Sequence, residues 1–286
     1  MPTSYAIVGA SRGIGLEFVR QLSARPNTTV YAVVRNPTSS TFLNEAVKGL
    51  KNVHIITGDV EVPESMRGAA EAVGKLSGGK LDCIIHNAAK MDLASMMKGF
   101  DSYGSLEEMD EAMIDMFRIN SLGPIHTIAT FLPLLRAGSA KKIVVIGSEG
   151  GTTDFIKFLR VDDMASYGMT KAAQHIATTK YAMKLAPEGF TVVSVSPGLV
   201  DTTSTMPESE KNLPEPPEVA RLMANAKAKG LPAGAQLPQS AVSKMLRAVD
   251  RLSPSQNGEF LSPTMNPLKV LPQIMMNRAA MLVGRK

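Results

Sequence analysis

Continuously apolar runs that alternate with helix-patterned segments constrain this chain more than any other feature. Seven short runs rich in β-branched residues stand in order along it: "YAIVG", "TVYAVV", "NVHIIT", "LDCIIHN", "KKIVVIGS", "FTVVSVSPG" and "GEFLS". A strand with one wet face alternates apolar and polar residues, whereas runs this continuous suit strands covered on both faces. Helical spacing fills the intervals, as in "GIGLEFVRQLSA", "PESMRGAAEAVGKL", "MASYGMTKAAQHIATTKYAMKLAP" and "QSAVSKMLRAVDRL". Strands alternating with helices predict an α/β fold, doubly wound, with three layers around a parallel sheet of about seven strands.

One stretch interrupts the rhythm. The long helical pattern "SLEEMDEAMIDMFRINSLGPIHTIATFLPLL" is expected to break near Gly123 and Pro124. From Asp201 to Pro238 proline and glycine dominate, which predicts a mobile substrate lid with one short helix over 201–238. Residues 263–286 read as a C-terminal appendage whose Leu, Ile and Met need a partner surface, though charges and Pro272 leave it too broken to span a bilayer. One domain over 1–286 accommodates the whole.

Composition excludes more than it assigns. A net charge of +5 comes from scattered Lys and Arg with no basic stripe, which argues against a nucleic-acid partner. The single cysteine, Cys83, lies inside an apolar run, so no intrachain disulfide forms and the residue is expected to act as a small buried hydrophobe. "MPTSYAIVGAS" has no charged segment followed by a long apolar one, so a cytoplasmic location is expected, without membrane insertion. His54, His86, His126 and His175 show no metal-ligand spacing, and no metal site is expected.

Two places carry chemistry. Directly after the first strand comes "GASRGIG", whose Gly9, Gly13 and Gly15 let backbone N–H groups approach a pyrophosphate at the start of the following helix. That position is what a Rossmann-type dinucleotide site requires. An acid at the end of strand two would hold the ribose hydroxyls of NAD, yet Arg35 stands there and Arg12 lies in the loop, so NADP(H) is favoured over NAD(H). Asp59, after strand three, can accept from an adenine amino group or simply close a turn. Farther along, Tyr167 and Lys171 stand four residues apart at the start of a helix, on one face. A nearby ammonium stabilises a phenolate, so Lys171 is expected to lower the pKa of Tyr167.

With "HNAA", Asn120, Ser148, Tyr-x3-Lys and "SPGLVDT" in order, the chain resembles the short-chain dehydrogenase/reductase family, compact branch, from roughly Tyr5 to Ser262. "RNP", "RINSLGP" and the closing "GEFLS" are similar to the C-factor and sniffer-like carbonyl reductases. The resemblance implies a catalytic set of Asn120, Ser148, Tyr167 and Lys171. It implies cofactor contacts from Gly9, Ser11, Arg12, Gly13, Ile14 and Gly15, from Arg35, Asp59 and Val60, and from Asn87 and Ala88. Pro197, Gly198, Val200 and Thr202 would shape the nicotinamide end, with Tyr167 and Lys171. The activity implied is NADPH-dependent reduction of a ketone or aldehyde of a mostly apolar small molecule, in a homodimer or homotetramer. Oxidation of a secondary alcohol by NADP, or NADP(H) binding by a sensor or scaffold without turnover, are the alternatives.

The chain departs from the pattern at Val8, where the family has Thr, and at Ala89, where it has Gly. The interval from Ser148 to Tyr167 is also longer than usual and reads as an extra loop at the substrate, with Phe155, Ile156 and Phe158 as apolar contacts. Met91, Met96 and Met97 either line an adaptable pocket or fill core gaps.

Overall fold

The structure is a computed structural model that describes residues 3–91, 93–211, 216–231 and 234–262. The appendage 263–286 lies outside the described residues. All seven expected strands form: β1 (Ser4–Val8), β2 (Thr29–Val34), β3 (Val53–Thr57), β4 (Cys83–His86), β5 (Lys142–Ile146), β6 (Thr191–Val195) and β7 (Phe260–Leu261). They make one sheet in the order β3-β2-β1-β4-β5-β6-β7, parallel throughout.

Residues of each strand feed two cores in alternation. Tyr5 and Ile7 of β1, with Ile85, Val144 and Val193, meet Leu16, Leu22, Met245 and Val249 of the helices Gly13–Ser23 and Pro238–Arg251. Ala6 and Val8, with Val33, Ile84, Val145 and Val192, meet Met66 and Val73 of the Pro63–Ser77 helix, Phe131 and Leu135 of the Gly123–Ala137 helix, and Leu185 of the Ala165–Leu185 helix. Both faces are therefore dry, which is why no polar alternation is visible in the sequence. Cys83 is fully buried in the first core, and burial pushes its thiol up to about 12.

Two expectations change. No break occurs at Gly123 and Pro124; the helix Leu106–Phe117 passes through a π-helical turn, Arg118–Leu122, and continues as Gly123–Ala137. The interval after Ser148 is also no mere loop. It holds a 3-10 turn, Glu149–Gly151, and a helix, Thr153–Leu159. Phe158 and Leu159 of that helix are buried against Leu222 and Ala226 of the Pro217–Ala228 helix, with Phe155 packed alongside. The 201–238 segment is pinned at its roots, where Asp201 N donates to Gln236 O (2.9 Å) and Gln236 N to Leu199 O (3.0 Å).

Candidate active site

Because β2 and β4 flank β1 in the sheet and the strand order reverses there, the loops after β1 and β4 part at the carboxyl edge and leave a crevice, where doubly wound sheets bind ligands. Gly9 turns out of β1 with φ +84°. Asn87, after β4, reaches across with its Nδ2 donating to Gly9 O (3.0 Å). A Cβ on Gly15 would sit 2.0 Å from that same oxygen, so the helix Gly13–Ser23 approaches β1 only because Gly15 lacks one. The first N–H groups of a helix have no internal acceptors. Here Gly13 N donates to Thr205 Oγ1 (2.9 Å), and the Thr202 methyl lies over Gly13.

The other residues expected at the nucleotide end differ in exposure. Ser11 and Ile14 are half-buried at the helix start, and Arg12 and Arg35 are exposed. Val60 is buried, and its carbonyl accepts from His126 Nδ1 (2.8 Å). Asp59 Oδ1 accepts from Glu61 N (3.1 Å), a turn-closing bond. Ala88, Pro197, Gly198 and Val200 are half-buried at the same edge.

The Ala165–Leu185 helix begins from Met164, whose φ of +59° is a left-handed conformation costing a bulky residue about 1–2 kcal/mol. Its first two turns carry Tyr167 and Lys171, both buried. Ser148 reaches Tyr167 because the Glu149–Gly151 turn lies flat on this helix; a Cβ on Gly151 would strike the Lys171 carbonyl carbon at 2.6 Å. Burial pushes the Tyr167 phenol up to about 12, opposed by a hydrogen bond with Ser148 and reinforced by the Glu149 carboxylate. Lys171 Nζ donates to Ile146 O (2.9 Å) and to Gln174 Oε1 (3.0 Å), and lies 5.8 Å from the Tyr167 ring centre. Burial pulls its ammonium down to about 7. The phenol is therefore raised where lowering by Lys171 is expected, because taking Tyr167 out of water opposes its ionisation.

Asn120 sits fully buried in the π-helical turn. Its Oδ1 accepts from Lys90 N (2.7 Å), while Nδ2 donates to Lys90 O (3.2 Å) and Thr170 Oγ1 (3.4 Å). It thus clamps the chain after β4 onto the Ala165–Leu185 helix. Asn120, Ser148, Tyr167 and Lys171 all gather at the carboxyl edge beside the glycine loop.

A family model described as short chain dehydrogenase matches residues 4–213. The chain belongs to that family. The short-chain dehydrogenase/reductase atnB of Arthrinium sp is 36% identical over 263 residues, 91% of this chain and 97% of that protein. An uncharacterized oxidoreductase of Schizosaccharomyces pombe is 34% identical, covering 90% and 94% of the two chains. Among solved structures, the NADPH-bound carbonyl reductase from chicken fatty liver superposes with TM-score 0.73 at 24% identity, covering 92% of this chain and 93% of its own. The carbonyl reductase Sniffer of D. melanogaster gives TM-score 0.73 at 20% identity, with 93% and 99% covered. These two likenesses show the fold.

Several residues of this short-chain dehydrogenase escape sequence reading. Glu149 accepts from Ser196 Oγ and Ser262 Oγ, tying the ends of β5, β6 and β7 together. His175 donates from Nε2 to Ser148 O (2.9 Å) and stacks edge-on against Phe260. Gln174 is fully buried on Lys171. The one available signal was spacing, since 174 and 175 fall one turn after Lys171. His86, in place of the family's Asn, bonds Thr127 Oγ1 (2.9 Å), and burial and then the Lys171 charge push it down to about 3, so it is neutral.

A cavity of about 550 Å3 opens away from the Ser148 and Tyr167 hydroxyls, between Phe100 and Asp101 and the Pro217–Ala228 helix. Arg221 bridges Asp162 and Asp163 on its wall. Met97 is buried, whereas Met91 is 56% exposed, so the two do not act alike. Among the described residues no group of three His, Cys, Asp or Glu is placed to hold a metal, and no helix is long and apolar enough to cross a membrane.

Proposed function

We propose that the protein is an NADPH-dependent reductase that converts a ketone or aldehyde of a mostly apolar small molecule to an alcohol. The observation that carries this reading is the buried phenol of Tyr167, hydrogen-bonded with Ser148 and adjoining Lys171 at the crevice beside the glycine loop. A dinucleotide phosphate fits the residues present: the close Gly9–Gly15 approach, the helix start at Gly13, and exposed Arg12 and Arg35 on the adenosine side. When bound, the nicotinamide supplies the hydride that reaches the carbonyl carbon. Tyr167 gives its proton to the developing alkoxide, and the Ser148 hydroxyl orients that oxygen. Lys171, with two donors held by Ile146 O and Gln174 Oε1, keeps its third for the ribose or for recharging the phenol.

A phenol held near 12 is protonated at neutral pH and so carries the proton that reduction consumes; the same residues serve alcohol oxidation in reverse, and direction follows the substrate and cofactor ratio. Leu199, beside Gly198, and Phe100 present exposed apolar surface suited to an apolar substrate. The 201–238 segment serves as the lid, rooted at Gln236. Exposed Ile114, Phe117, Ile176 and Met183 on the two long helices suit a dimer or tetramer contact. A cytoplasmic location is part of the proposal.

NADPH consumption is to be followed by absorbance with a panel of ketones and aldehydes, for wild type and Tyr167→Phe. Turnover should fall at least about 100-fold in the variant while NADPH still binds. A chain that does not bind NADPH refutes the reading; unimpaired turnover by Tyr167→Phe refutes the proton donor.

A further inference from the structure

A lysine ammonium carries three donors and no acceptor. In the site described, two of the Lys171 donors are spoken for by neutral carbonyl oxygens, Ile146 O at the end of β5 and Gln174 Oε1 one turn along the same helix. The first is backbone and fixed by the sheet. The second is a side chain that nothing in the reaction requires.

Gln174 is an unexpected residue at its position. It is 0% exposed, and long polar side chains enter a core only when a partner compensates. Its Oε1 has that partner in Lys171, but its Nε2 is buried without one among the described residues. An amide can turn over and exchange its oxygen and nitrogen. Turning would aim NH2 at an ammonium, donor against donor, so Lys171 dictates the orientation even at the expense of an unmatched N–H pair. A leucine here would fill the same space with no polar group to satisfy. The amide is kept in the core by its contact with the lysine.

We propose that Gln174 is a positioning residue for Lys171, its carbonyl fixing where the amine sits on the floor of the site and how tightly that amine holds its proton. The role in turnover rests on the reductase reading above; the contact itself does not. Without the Gln174 carbonyl, Nζ keeps one neutral acceptor, Ile146 O, inside a dry site. Charge is then less supported, and the proton leaves at lower pH.

Other ionisable groups surround this amine and must be separated from the effect. Tyr167 and His175 lie on the same helix, His86 comes from β4, Glu149 follows β5, and Lys90, paired with Asp115, lies against Asn120. Near neutral pH burial holds Tyr167 protonated and His86 neutral, so neither changes charge where Lys171 does. His175 and Glu149 are unaltered in the variants below, and their influence cancels in the comparison.

The test reads the lysine directly and needs no substrate. Protein carrying 13C at the lysine ε-carbons is titrated by NMR, with the Lys171 signal identified by its disappearance in Lys171→Met. The wild-type midpoint should lie near 7. In Gln174→Leu, and in the more adaptable Gln174→Met, it should fall by about one unit, a tenfold weaker hold on the proton. A residue that merely filled space would leave the midpoint in place. Midpoints within about 0.3 unit of wild type in whichever of the two variants folds, or a rise, overturn the proposal. Because the signal is read without turnover, a protein that fails to reduce carbonyls but shows the shift would refute the reductase reading alone.

Discussion

Two glycines in helix interiors make opposite predictions for one substitution. Replacing a helical glycine by alanine ordinarily stabilises by about 0.5–1 kcal/mol, through the entropy that glycine gives up on folding. Gly68 lies in the exposed middle of the Pro63–Ser77 helix with nothing within 4 Å of where its Cβ would be, so Gly68→Ala should show that gain. Gly15→Ala should do the reverse. Its Cβ would lie 2.0 Å from Gly9 O, 2.9 Å from Gly9 C and 2.8 Å from Asn87 Nδ2. Two of those atoms are backbone, and the third is the amide that ties β4 to β1. Overpacking of this kind costs about 1–3 kcal/mol. Losing the Asn87–Gly9 bond adds about 0.5–1.5 kcal/mol. Alanine's helix preference returns about 1 kcal/mol, leaving a net loss near 2 kcal/mol. For a chain of this size that is a fall in Tm of about 4–8 °C. The same displacement moves the loop that would face a pyrophosphate, so NADPH affinity should drop more than about tenfold, or 1.4 kcal/mol. Urea unfolding and calorimetric NADPH titration of both variants measure this. If Gly15→Ala were as stable as Gly68→Ala and bound NADPH as wild type does, the close-approach argument would be wrong.

Arg35→Asp should weaken NADPH binding by about 1.5–3 kcal/mol and narrow or reverse the preference over NADH; an unchanged affinity ratio would show that Arg35 does not meet the 2′-phosphate. Asp82, only 7% exposed, accepts from the backbone and hydroxyls of Thr3, Ser4 and Ser139, which together hold its carboxyl well below the usual range against the opposing effect of burial. Its stabilisation is present above the ordinary carboxylate pKa and is lost as pH falls below it, so Asp82→Asn should cost about 2–3 kcal/mol at pH 7 and progressively less at pH 3, measured by urea midpoints. For Lys171 the sign is the same and the window is higher: with a folded value near 7 against 10.5 unfolded, the folded chain releases this proton first, and stability from this site grows as pH rises from about 7 toward 10.5. Between pH 7 and 9.5 wild type should gain up to about 1.4 kcal/mol per pH unit relative to Lys171→Met, and parallel curves for the two would refute the buried ammonium.

The strands were legible because burying both faces of a sheet leaves nothing polar in them, as Tyr5 and Ile7 serve one core and Ala6 and Val8 the other. Within the candidate site, Tyr167 and Lys171 could be put on one face because residues four apart are neighbours on any helix, whereas Asn120 and Ser148 came from the family resemblance. The turn at Asn120 was misread for a definite reason. Glycine followed by proline signals a stop, since Pro124 has no N–H to bond the carbonyl four residues back. The chain solves this by widening the helix, with Gly123 N–H donating to Arg118 O five residues back, and it continues without interruption. The widened turn carries Asn120 to Lys90, which no periodicity would have shown.

Protonation was the least legible property, because it belongs to burial and not to spacing. "YGMTK" names the phenol and the amine, but the same five residues on a wet helix would hold pKa values near their ordinary ones. What moves them here is burial under elements distant in sequence: the Glu149–Gly151 turn is laid over the helix and the end of β5 lies against Lys171, while Ile146 O and, one turn along the same helix, Gln174 Oε1 give the amine its acceptors. Burial takes water away from Tyr167 and Lys171 without neutralising either. The phenol is thereby kept as an acid and the amine brought close to losing its charge at neutral pH. On the proposed reading such a pair gives its proton to an alkoxide and is refilled from the lysine side, and its state of charge follows from how the helix is buried as much as from which residues it carries.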